Sequence, residues 1–420
     1  MIELTMRDRA GAESALFFDP VANRLWEGEK EIKAGGIRKL PERRKHAAAP
    51  PVNIRISLGK KCNFSCAYCC QTVCRDEAQE TLPPDELVRR IIRFVGERDV
   101  WNVQFWGGEP LVYFAEIKEL HRLFVENGVD VERFFISTNG SLLHGERLDW
   151  IIKNKIAVGF SWDGPGQKLR GKDVLADPVI LAGVKAIRKT NPGHIGFTPV
   201  MTVENTSHKA YIDAVAALVG DRDFNIGESR IATVYDDYAA RYAIPVEDLP
   251  EFSRRFYMDL VAGALPQHVH AHSLVRQFMA ELGKPVTPGS RCFVTDKNTL
   301  TVDLAGNILT CQNFGARAVD EDSGESHCLG RIEDLAPGAS VPVPPAIRMT
   351  EKQRTKCSRC LALPVCRGGC PYSPEAYEDY NCAAAYYQYL PIVGLALHHL
   401  TGKLLTEVKP WTTHKEDNHA

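Results

Sequence analysis

Between residues 52 and 231 the sequence alternates short β-branched or aromatic runs with amphipathic stretches, and this alternation is what most constrains the fold. The apolar runs predict six strands, at residues 53–58, 100–106, 133–137, 156–161, 195–201 and 223–231. Apolar residues at three- and four-residue spacings predict five helices, at residues 84–97, 114–126, 144–153, 178–190 and 208–219. Because such strands pair in parallel through right-handed crossovers, six units of about 30 residues predict an α/β fold with a partial (β/α)6 TIM-like barrel.

The composition limits the partners and the location of the protein. Of its 420 residues, 44% are hydrophobic and 25% are charged, as in ordinary soluble globular proteins. A net charge of −2 gives no electrostatic reason to expect binding to nucleic acid or to an anionic membrane. The sequence has neither an N-terminal signal pattern nor an apolar run of about 18 residues, so we expect a cytoplasmic protein.

The 13 cysteines fall into two fields. The first cysteine field holds five of them between positions 62 and 74, and the second holds eight between positions 292 and 382. Disulfides are disfavoured, since the cytosol keeps thiols reduced. Clustering of this kind predicts two metal-bearing regions separated by a scaffold.

The first cysteine field begins directly after the first predicted strand. Cys62, Cys66 and Cys69 stand in the run C-N-F-S-C-A-Y-C. Three thiolates ligate three corners of a four-iron cluster and leave the fourth iron open to a substrate, whereas four cysteines close the cluster. Three thiols alone could also be half of a zinc site or a coincidence, so the neighbouring loops have to decide.

Three further loops follow predicted strands at the same end of the sheet. They are Gly-Gly-Glu-Pro at residues 107–110, Ser-Thr-Asn-Gly at 137–140 and Ser-Trp-Asp-Gly at 161–164. Each of them alone is most simply a turn. Because the chemistry of parallel α/β barrels lies in loops at the carboxyl ends of the strands, four such loops in register predict one shared site.

The three-cysteine run and the loop at 107–110 resemble the signatures of radical S-adenosylmethionine (SAM) enzymes, where an aromatic residue, here Tyr68, precedes the last cysteine. The resemblance implies that Cys62, Cys66 and Cys69 hold a [4Fe-4S] cluster beside bound SAM. The SAM contacts that it implies are Tyr68, Gly107, Gly108, Glu109, Pro110, Thr138, Asn139, Ser161, Asp163 and Arg170.

Within that set the resemblance implies different roles. Glu109 and the backbone of its loop would hold the methionyl ammonium, while Ser161 and Asp163 would lie near the ribose. Trp162 replaces the leucine usual in the family, which matters little if its side chain faces the core. Arg170 either pairs with the SAM carboxylate or is an exposed loop residue.

The second cysteine field has a characteristic spacing. Seven of its positions are Cys292, Cys311, Cys357, Cys360, Cys366, Cys370 and Cys382. Without a family comparison, these pairs indicate zinc ribbons or iron–sulfur ligands. Together with Gly306, they resemble the SPASM domain, a C-terminal extension of radical SAM enzymes that holds two auxiliary [4Fe-4S] clusters, which makes three clusters in all. Residues 299–310 predict the hairpin that this domain carries.

The resemblance also implies how these cysteines divide. The second auxiliary cluster would take Cys357, Cys360, Cys366 and Cys382, and the first would take Cys292, Cys311 and Cys370. Some relatives have a fourth ligand six residues before the first cysteine, where this chain has Val286. The first auxiliary cluster therefore either has an open iron or takes Cys328, which we favour. Cys70 and Cys74 are interpreted as spare thiols, with a redox or ligand role as the alternative.

The remaining segments carry fewer signals. Residues 1–50 predict a hairpin at 15–30 and a basic linker at 38–46. These fifty residues are too few for the winged-helix domain with which several peptide maturases begin. A helical stretch at 246–283 contains the alternating His268, His270 and His272, for which a metal site is the less favoured interpretation. A terminal helix is predicted at 386–408, followed by a polar tail. The predicted domains are 1–50, 51–245 for the barrel, 246–288 for a helical linker, 289–385 for the SPASM domain, and 386–420.

The resemblance implies an oxidoreductase in which reduction of SAM gives a 5′-deoxyadenosyl radical that removes hydrogen from the substrate. A flavodoxin- or ferredoxin-type protein would supply the electrons. Sulfatase-maturing relatives have an aspartate after the cysteine that matches Cys311, and Gln312 at that position disfavours formylglycine formation. We therefore expect a thioether or carbon–carbon crosslink in a ribosomally made precursor peptide, whose leader binds the hairpin, the barrel or a separate protein.

Two alternatives belong to other functional classes. A radical SAM dehydrogenase or epimerase could act on a small molecule such as a sugar or alcohol, although the seven-cysteine spacing counts against it. A non-catalytic zinc-binding interaction protein would explain the second cysteine field alone, but not the Gly-Gly-Glu-Pro loop at 107–110.

Overall fold

The computed structural model describes residues 1–34, 52–71, 80–288, 293–344 and 351–409. The strands in these ranges are β1 (Ile2–Arg7), β2 (Glu13–Asp19), β3 (Arg24–Glu27), β4 (Lys30–Ile32), β5 (Val52–Ser57), β6 (Val100–Trp106), β7 (Val131–Thr138), β8 (Ala157–Phe160), β9 (Ile195–Phe197), β10 (Val200–Met201), β11 (Asn225–Ile226), β12 (Arg230–Ile231), β13 (Thr299–Asp303), β14 (Asn307–Leu309), β15 (Cys328–Arg331) and β16 (Leu404–Lys409). The α-helices are α1 (Pro84–Val95), α2 (Phe114–Glu126), α3 (Gly145–Lys153), α4 (Pro178–Thr190), α5 (His208–Val219), α6 (Asp237–Ala240), α7 (Leu249–Val261), α8 (Val269–Glu281), α9 (Glu351–Ser358), α10 (Leu363–Cys366) and α11 (Glu378–Thr401).

A nine-stranded sheet forms the centre of the molecule, in the order β11-β9-β8-β7-β6-β5-β13-β14-β15. The pairs from β11 through β5 to β13 are all parallel, which confirms the predicted α/β class with a parallel sheet. Among the described strands the two edges, β11 and β15, do not pair with each other, so the sheet stays open. The amphipathic helices α1 to α5 alternate with these strands, and each buries apolar side chains.

The last two predicted strands are each divided. Residues 195–201 form β9 and β10, and residues 223–231 form β11 and β12. Pro199 lies between β9 and β10, and its missing N–H prevents a continuous ladder of hydrogen bonds there. β10 pairs with β12 in a separate parallel ribbon.

The predicted hairpin of the second cysteine field continues the central sheet. β13 and β14 are antiparallel, and they turn through Gly306, whose φ of 83° lies in the left-handed region. β13 pairs in parallel with β5, the strand that precedes the first cysteine field, with Leu300 opposite Ile54 and Val302 opposite Ile56. The two cysteine fields are therefore connected to adjacent strands of the sheet.

Both ends of the described chain meet in a second sheet, of order β16-β1-β2-β3-β4. The predicted hairpin at 15–30 corresponds to β2 and β3, but β1 and β16 were not predicted. The prediction of a helix at 386–408 was wrong at both ends, because α11 spans Glu378–Thr401 and ends at Gly402 with φ 72°. A left-handed glycine stops a helix, and the alternating residues beyond it pair with β1. The basic linker at 38–46 and residues 410–420 lie outside the described residues.

The helices between and after the two fields pack together. The helical stretch predicted at 246–283 is confirmed by α7 and α8, and α11 lies against both of them. None of the helices in the described ranges is both long enough and apolar enough to cross a membrane.

Candidate active site

The segment that leads into the first cysteine field, residues 59–61, is held against the loop at 107–110 by main-chain contacts. The N–H of Gly108 donates to Gly59 O at 2.9 Å, and the N–H of Glu109 donates to Lys61 O at 3.0 Å. A Cβ on Gly107 would lie 2.5 Å from Gly59 O, and one on Gly108 would lie 2.6 Å from Lys60 O. Both glycines are thus required by the close approach of two backbones, directly before Cys62.

Cys62, Cys66 and Cys69 all line one cavity, of about 630 Å3. Burial raises the pKa of the Cys66 thiol to about 11, Arg170 opposes that rise, and the neighbouring Cys69 and Cys62 add to it. Three thiols whose charges act on one another are suited to an iron–sulfur cluster, because bound iron removes the thiol protons. The donor set therefore fits the predicted [4Fe-4S] cluster.

Most of the predicted SAM contacts line the same cavity. Those that do are Tyr68, Gly107, Gly108, Glu109, Thr138, Asn139, Ser161 and Arg170. Pro110 and Asp163 do not: Pro110 is the buried first residue of a 3-10 helix, Pro110–Tyr113, and the Asp163 side chain is buried. Trp162 is 3% exposed and its indole N–H donates to Asp173 Oδ1 at 2.9 Å, so it faces the core as expected.

Glu109 joins the loops that follow β6 and β7. It is 1% exposed, and its carboxylate accepts hydrogen bonds from Thr138 Oγ1 at 2.6 Å, Asn139 N at 2.7 Å and Leu111 N at 3.0 Å. Burial raises the pKa of this carboxyl group, and the three hydrogen bonds oppose the rise. Its oxygens thus fix the relative positions of two loops that border the cavity.

Arg170 is anchored by Asp163 and Tyr68. Its Nε lies 3.0 Å from Asp163 Oδ2, and its guanidinium lies 5.4 Å from the centre of the Tyr68 ring. The Tyr68 hydroxyl donates to the same Asp163 oxygen, and the other oxygen accepts from Val200 N at 2.8 Å. The side chain of Arg170 is only 10% exposed, so the alternative of an exposed loop arginine is wrong.

In the second cysteine field, four thiols act electrostatically on one another. Burial raises the pKa of Cys357 and of Cys382 to about 12 each, and Cys366 adds to the rise in both. Burial followed by Cys366 likewise raises the pKa of Cys360. α9, α10 and α11 supply three of these four residues. The four together are the ligand set predicted for the second auxiliary cluster.

The ligands predicted for the first auxiliary cluster are only partly described. The hydroxyl of Tyr235 lies 3.5 Å from Cys370 Sγ, and its pKa is raised by burial, then by Cys370 and, less, by Cys311. Cys292 lies outside the described residues, as does Cys74. Cys328 is on β15, where its thiol donates to Gly330 O at 3.6 Å.

The described residues do not form a site for a single metal ion. No group of three or more described His, Cys, Asp or Glu side chains converges as closely as the ligands of one ion do. His268, which was considered as a metal ligand, instead accepts from Ala271 N at the start of α8 and contacts Ser229 Oγ at 3.0 Å. A tetrahedral zinc site needs sulfur ligands about 2.3 Å from one centre, whereas a four-iron cluster takes its thiolates at separate corners.

Some cavity residues were not predicted from the sequence. Arg55, in the middle of β5, donates to the side-chain oxygen of Gln312, and Lys60 Nζ donates to Gln312 O at 2.9 Å. Arg133 on β7 also lines the cavity. The available signal was a charged residue at an alternating position of a strand, since alternate positions face the interior of a barrel.

Comparison with known proteins decides the family of the barrel. Residues 56–215 match the model of the radical SAM superfamily. This part of the chain is a radical SAM domain. A radical SAM domain implies a [4Fe-4S] cluster and SAM, so the protein is a radical SAM enzyme.

The similarity of this radical SAM enzyme to known proteins extends beyond that domain. It is 21% identical over 360 residues to a cysteine-type anaerobic sulfatase-maturating enzyme of Clostridium perfringens, which covers 80% of this chain and 94% of the relative. A serine-type anaerobic sulfatase-maturating enzyme of Klebsiella aerogenes is 20% identical over 354 residues, covering 79% of this chain and 82% of the relative.

Solved structures share the fold. The structure described as native anSMEcpe with bound AdoMet and Cp18Cys peptide has a TM-score of 0.57 at 18% identity, covering 83% of this chain and all of that one. Streptococcus suis SuiB bound to precursor peptide SuiA has a TM-score of 0.51 at 18% identity, covering 76% of this chain and 72% of SuiB.

Proposed function

We propose that this radical SAM enzyme oxidatively modifies a ribosomally made peptide, with two auxiliary [4Fe-4S] clusters in its C-terminal region. The observation that carries the proposal is the shared cavity. Cys62, Cys66 and Cys69 line it together with Gln312 and Asn313 of the second cysteine field. A side chain that enters this cavity is within reach of both fields at once.

Different residues of the chain would hold the cluster and bind SAM. Cys62, Cys66 and Cys69 would hold the cluster, and SAM would bind beside Arg170 and the loop of Glu109. When bound, the cluster and SAM would provide the chemistry that removes a hydrogen atom from the substrate. Arg170 is already oriented by Asp163, which lowers the entropy lost when it binds a carboxylate.

A peptide substrate is supported by the relatives. Two of the similar proteins are named as sulfatase-maturating enzymes, and two of the similar structures were solved with peptides. Their catalytic task is a modification made within a polypeptide. We propose the same substrate class here, with the leader bound by a separate protein or by the N-terminal sheet, and electrons from a flavodoxin- or ferredoxin-type protein.

The product we propose is a thioether or carbon–carbon crosslink. Gln312 follows Cys311 in the cavity, and its amide oxygen accepts a hydrogen bond from Arg55. An amide has no basic form near neutral pH, so Gln312 cannot take a proton from a cysteine or serine as an aspartate would. This pairing favours a reaction other than aldehyde formation.

The test is anaerobic turnover of reconstituted enzyme with precursor peptides that contain cysteine or aromatic residues. We expect the peptide to stimulate SAM cleavage and to lose two hydrogens in a crosslink that survives proteolysis and does not react with an aldehyde probe. An aldehyde-reactive product would contradict the crosslink. Cleavage of SAM stimulated only by sugars or alcohols would contradict the peptide substrate.

A further inference from the structure

The cavity continues into the barrel beyond the residues proposed to bind the cluster and SAM. Ser137 and Arg133 on β7 both line it, and their separation of four residues corresponds to about 13 Å at the usual rise of a strand. His194, directly before β9, lines it as well, so the cavity reaches the amino ends of these strands. The deep end of the cavity, at Arg133 and His194, is left for the substrate.

Two paired glycines form part of the cavity wall. Gly159 of β8 lies directly opposite Gly196 of β9, and both line the cavity. Branched side chains fill the interior of a complete (β/α)8 barrel, whereas these two positions have no side chain. At Gly159 even a methyl group would be too large, since a Cβ would lie 2.7 Å from Phe135 Cζ. Glycines in strands mark places where a ligand can approach the backbone closely, so an extended peptide can run along this wall.

The guanidinium group of Arg133 has neutral partners. Its Nε donates to Asn102 Oδ1 at 3.2 Å, and the group lies 5.5 Å from the centre of the Phe135 ring and 5.6 Å from that of Trp101. Partial burial lowers the pKa of Arg133, and the charge that opposes this change is that of Glu132. Glu132 is exposed and points to the other face of the strand, because successive side chains alternate. Arg133 thus brings into the cavity a positive charge that its described contacts do not neutralise.

Two other arginines of the cavity have carboxylate partners. Arg170 Nε lies 3.0 Å from Asp163 Oδ2, and Arg230 Nε donates to Glu228 Oε1 at 2.6 Å. Charges that are taken out of water are normally paired in this way. Within the described ranges the hydrogen bond of Arg133 uses only Nε, which leaves its two terminal nitrogens for a ligand. These two nitrogens are the pair with which an arginine can bind both oxygens of a carboxylate.

We propose that Arg133 binds a carboxylate of the peptide substrate, either from an acidic side chain or from the C-terminus, and thereby selects the peptide. The inference rests on the peptide substrate of the proposed function. Nη1 and Nη2 would donate to the two oxygens, and the peptide would extend from there toward Ser137. An extended chain covers that distance in about four residues, so the carboxylate lies within about four residues of the modified position.

The test uses the reconstituted holoenzyme and a cysteine- or aromatic-containing precursor peptide that stimulates SAM cleavage. One form of the peptide has glutamate scanned through the neighbouring positions and an amidated C-terminus. A second has glutamine there and a free C-terminus close to the modified position, and a third has glutamine and an amidated C-terminus. The wild-type KM for the form with the recognised carboxylate should be about 10- to 100-fold below that for the third form, at equal kcat. The form with the lower KM identifies the source of the carboxylate.

Variants then assign the preference to Arg133. Arg133→Gln should raise the KM of the recognised form to that of the third form and leave the KM for SAM unchanged, whereas Arg133→Lys should retain part of the preference. Arg133→Glu should instead prefer a peptide with lysine in place of the glutamate, a gain that a misfolded protein cannot show. The matched control is Arg147→Gln, because Arg147 lies outside the cavity lining but also has neutral partners, Leu111 O at 3.2 Å and the Phe114 ring at 5.4 Å.

The outcomes separate this inference from the proposed function. Equal KM values for all three forms in the wild type, or a preference that Arg133→Gln keeps, would overturn the role of Arg133 alone. So would a loss of the preference in Arg147→Gln as large as in Arg133→Gln. If no peptide stimulates SAM cleavage, the proposed peptide substrate is contradicted, and the inference with it.

Discussion

Glu109 has a structural role that can be separated from any contact with SAM. Its carboxylate accepts three hydrogen bonds, two of them from the Thr138–Asn139 corner of the next strand. The family motif predicts a glutamate at this position, but it does not disclose these partners. They depend on a loop about 30 residues away in the sequence.

Replacing Glu109 with glutamine should destabilise the protein even without cofactors. One acceptor oxygen becomes an NH2 group, which leaves a buried N–H of Asn139 or Leu111 without a partner and costs about 1–3 kcal/mol. The measurement is the thermal unfolding midpoint of the cluster-free protein. Glu97→Gln, which changes an exposed loop carboxylate, is the control. Equal midpoints for the two variants would contradict this role.

A pair of buried histidines should make stability depend on pH. His208 Nε2 lies 2.8 Å from Ser229 Oγ, which also contacts His268 Nε2 at 3.0 Å. Burial lowers the pKa of His208 from 6.5 to about 3 and lowers that of His268 well below its usual value. As the pH falls below about 6.5, the unfolded chain binds protons that the folded chain excludes, so stability decreases by up to about 1.4 kcal/mol per pH unit for each histidine.

His208→Gln should roughly halve this slope between pH 7 and 5. The quantity to measure is the change of unfolding midpoint with pH, compared with wild type and with His144→Gln, which removes an exposed histidine. The absolute stability of His208→Gln is not the criterion, because the substitution also alters the stacking of His208 on Phe256, whose ring centre lies 3.9 Å away. A slope equal to that of wild type would show that another group controls the acid sensitivity.

At the scale of elements, two loops share one tight interface. The Gly107–Gly108 turn after β6 lies against residues 59–61 after β5, with no room for a side chain. Gly108→Ala should therefore displace the segment that leads into Cys62. We expect loss of about four irons per chain, those of the cluster in the radical SAM domain, while iron bound by the second cysteine field remains.

The control for Gly108→Ala is Gly196→Ala on β9. A Cβ at Gly196 meets its nearest atom, Asn225 O, at an ordinary contact distance of 3.5 Å. This variant should keep its full iron content after anaerobic reconstitution. An equal loss of iron in both variants would indicate a general sensitivity of the barrel to added methyl groups.

The elements differed in how well the sequence predicted them. α2, α4 and α5 have the predicted bounds, because each has an amphipathic pattern, and α4 and α5 also have a capping residue, Asp177 before Pro178 and Ser207 before His208. The strands of the second sheet were harder to predict. β1 and β16 pair with each other across about 400 residues of sequence, and no local pattern indicates such a pairing.

The same limit applies to the site. The motifs predicted the cysteines and the loop of Glu109, which are contiguous in sequence. They did not predict that Arg55 contacts Gln312, which depends on the pairing of β13 with β5. Nor did they predict that Tyr235 lies beside Cys370; the preceding residue, Val234, is hydrogen-bonded to Asn381 of α11. Contacts that depend on the tertiary fold alone leave no periodic pattern in the amino-acid sequence.

At the scale of the whole molecule, β16 completes the N-terminal sheet. Leu4 pairs with Val408, and Leu405 N donates to the Tyr257 hydroxyl at 2.9 Å. Deleting residues 403–420 should cost about 2–4 kcal/mol from the partly buried apolar side chains of β16, and it should expose the edge of β1 to self-association.

Deleting only residues 410–420 is the matched control for that truncation, since it leaves β16 intact. The readouts are the thermal unfolding midpoint and the mass distribution in sedimentation velocity. If both truncations behave alike, β16 contributes nothing to the stability of the sheet.

The pairing of β5 with β13 also has a consequence for synthesis on the ribosome. The chain emerges in order, so β5 waits for a partner that is about 250 residues further on. At about 5–20 residues per second, the wait is roughly 12 to 50 s. During that interval the strand leading to Cys62 has one unpaired edge in the middle of the future sheet. Nascent chains of this protein should therefore need protection by chaperones until residue 303 has left the exit tunnel.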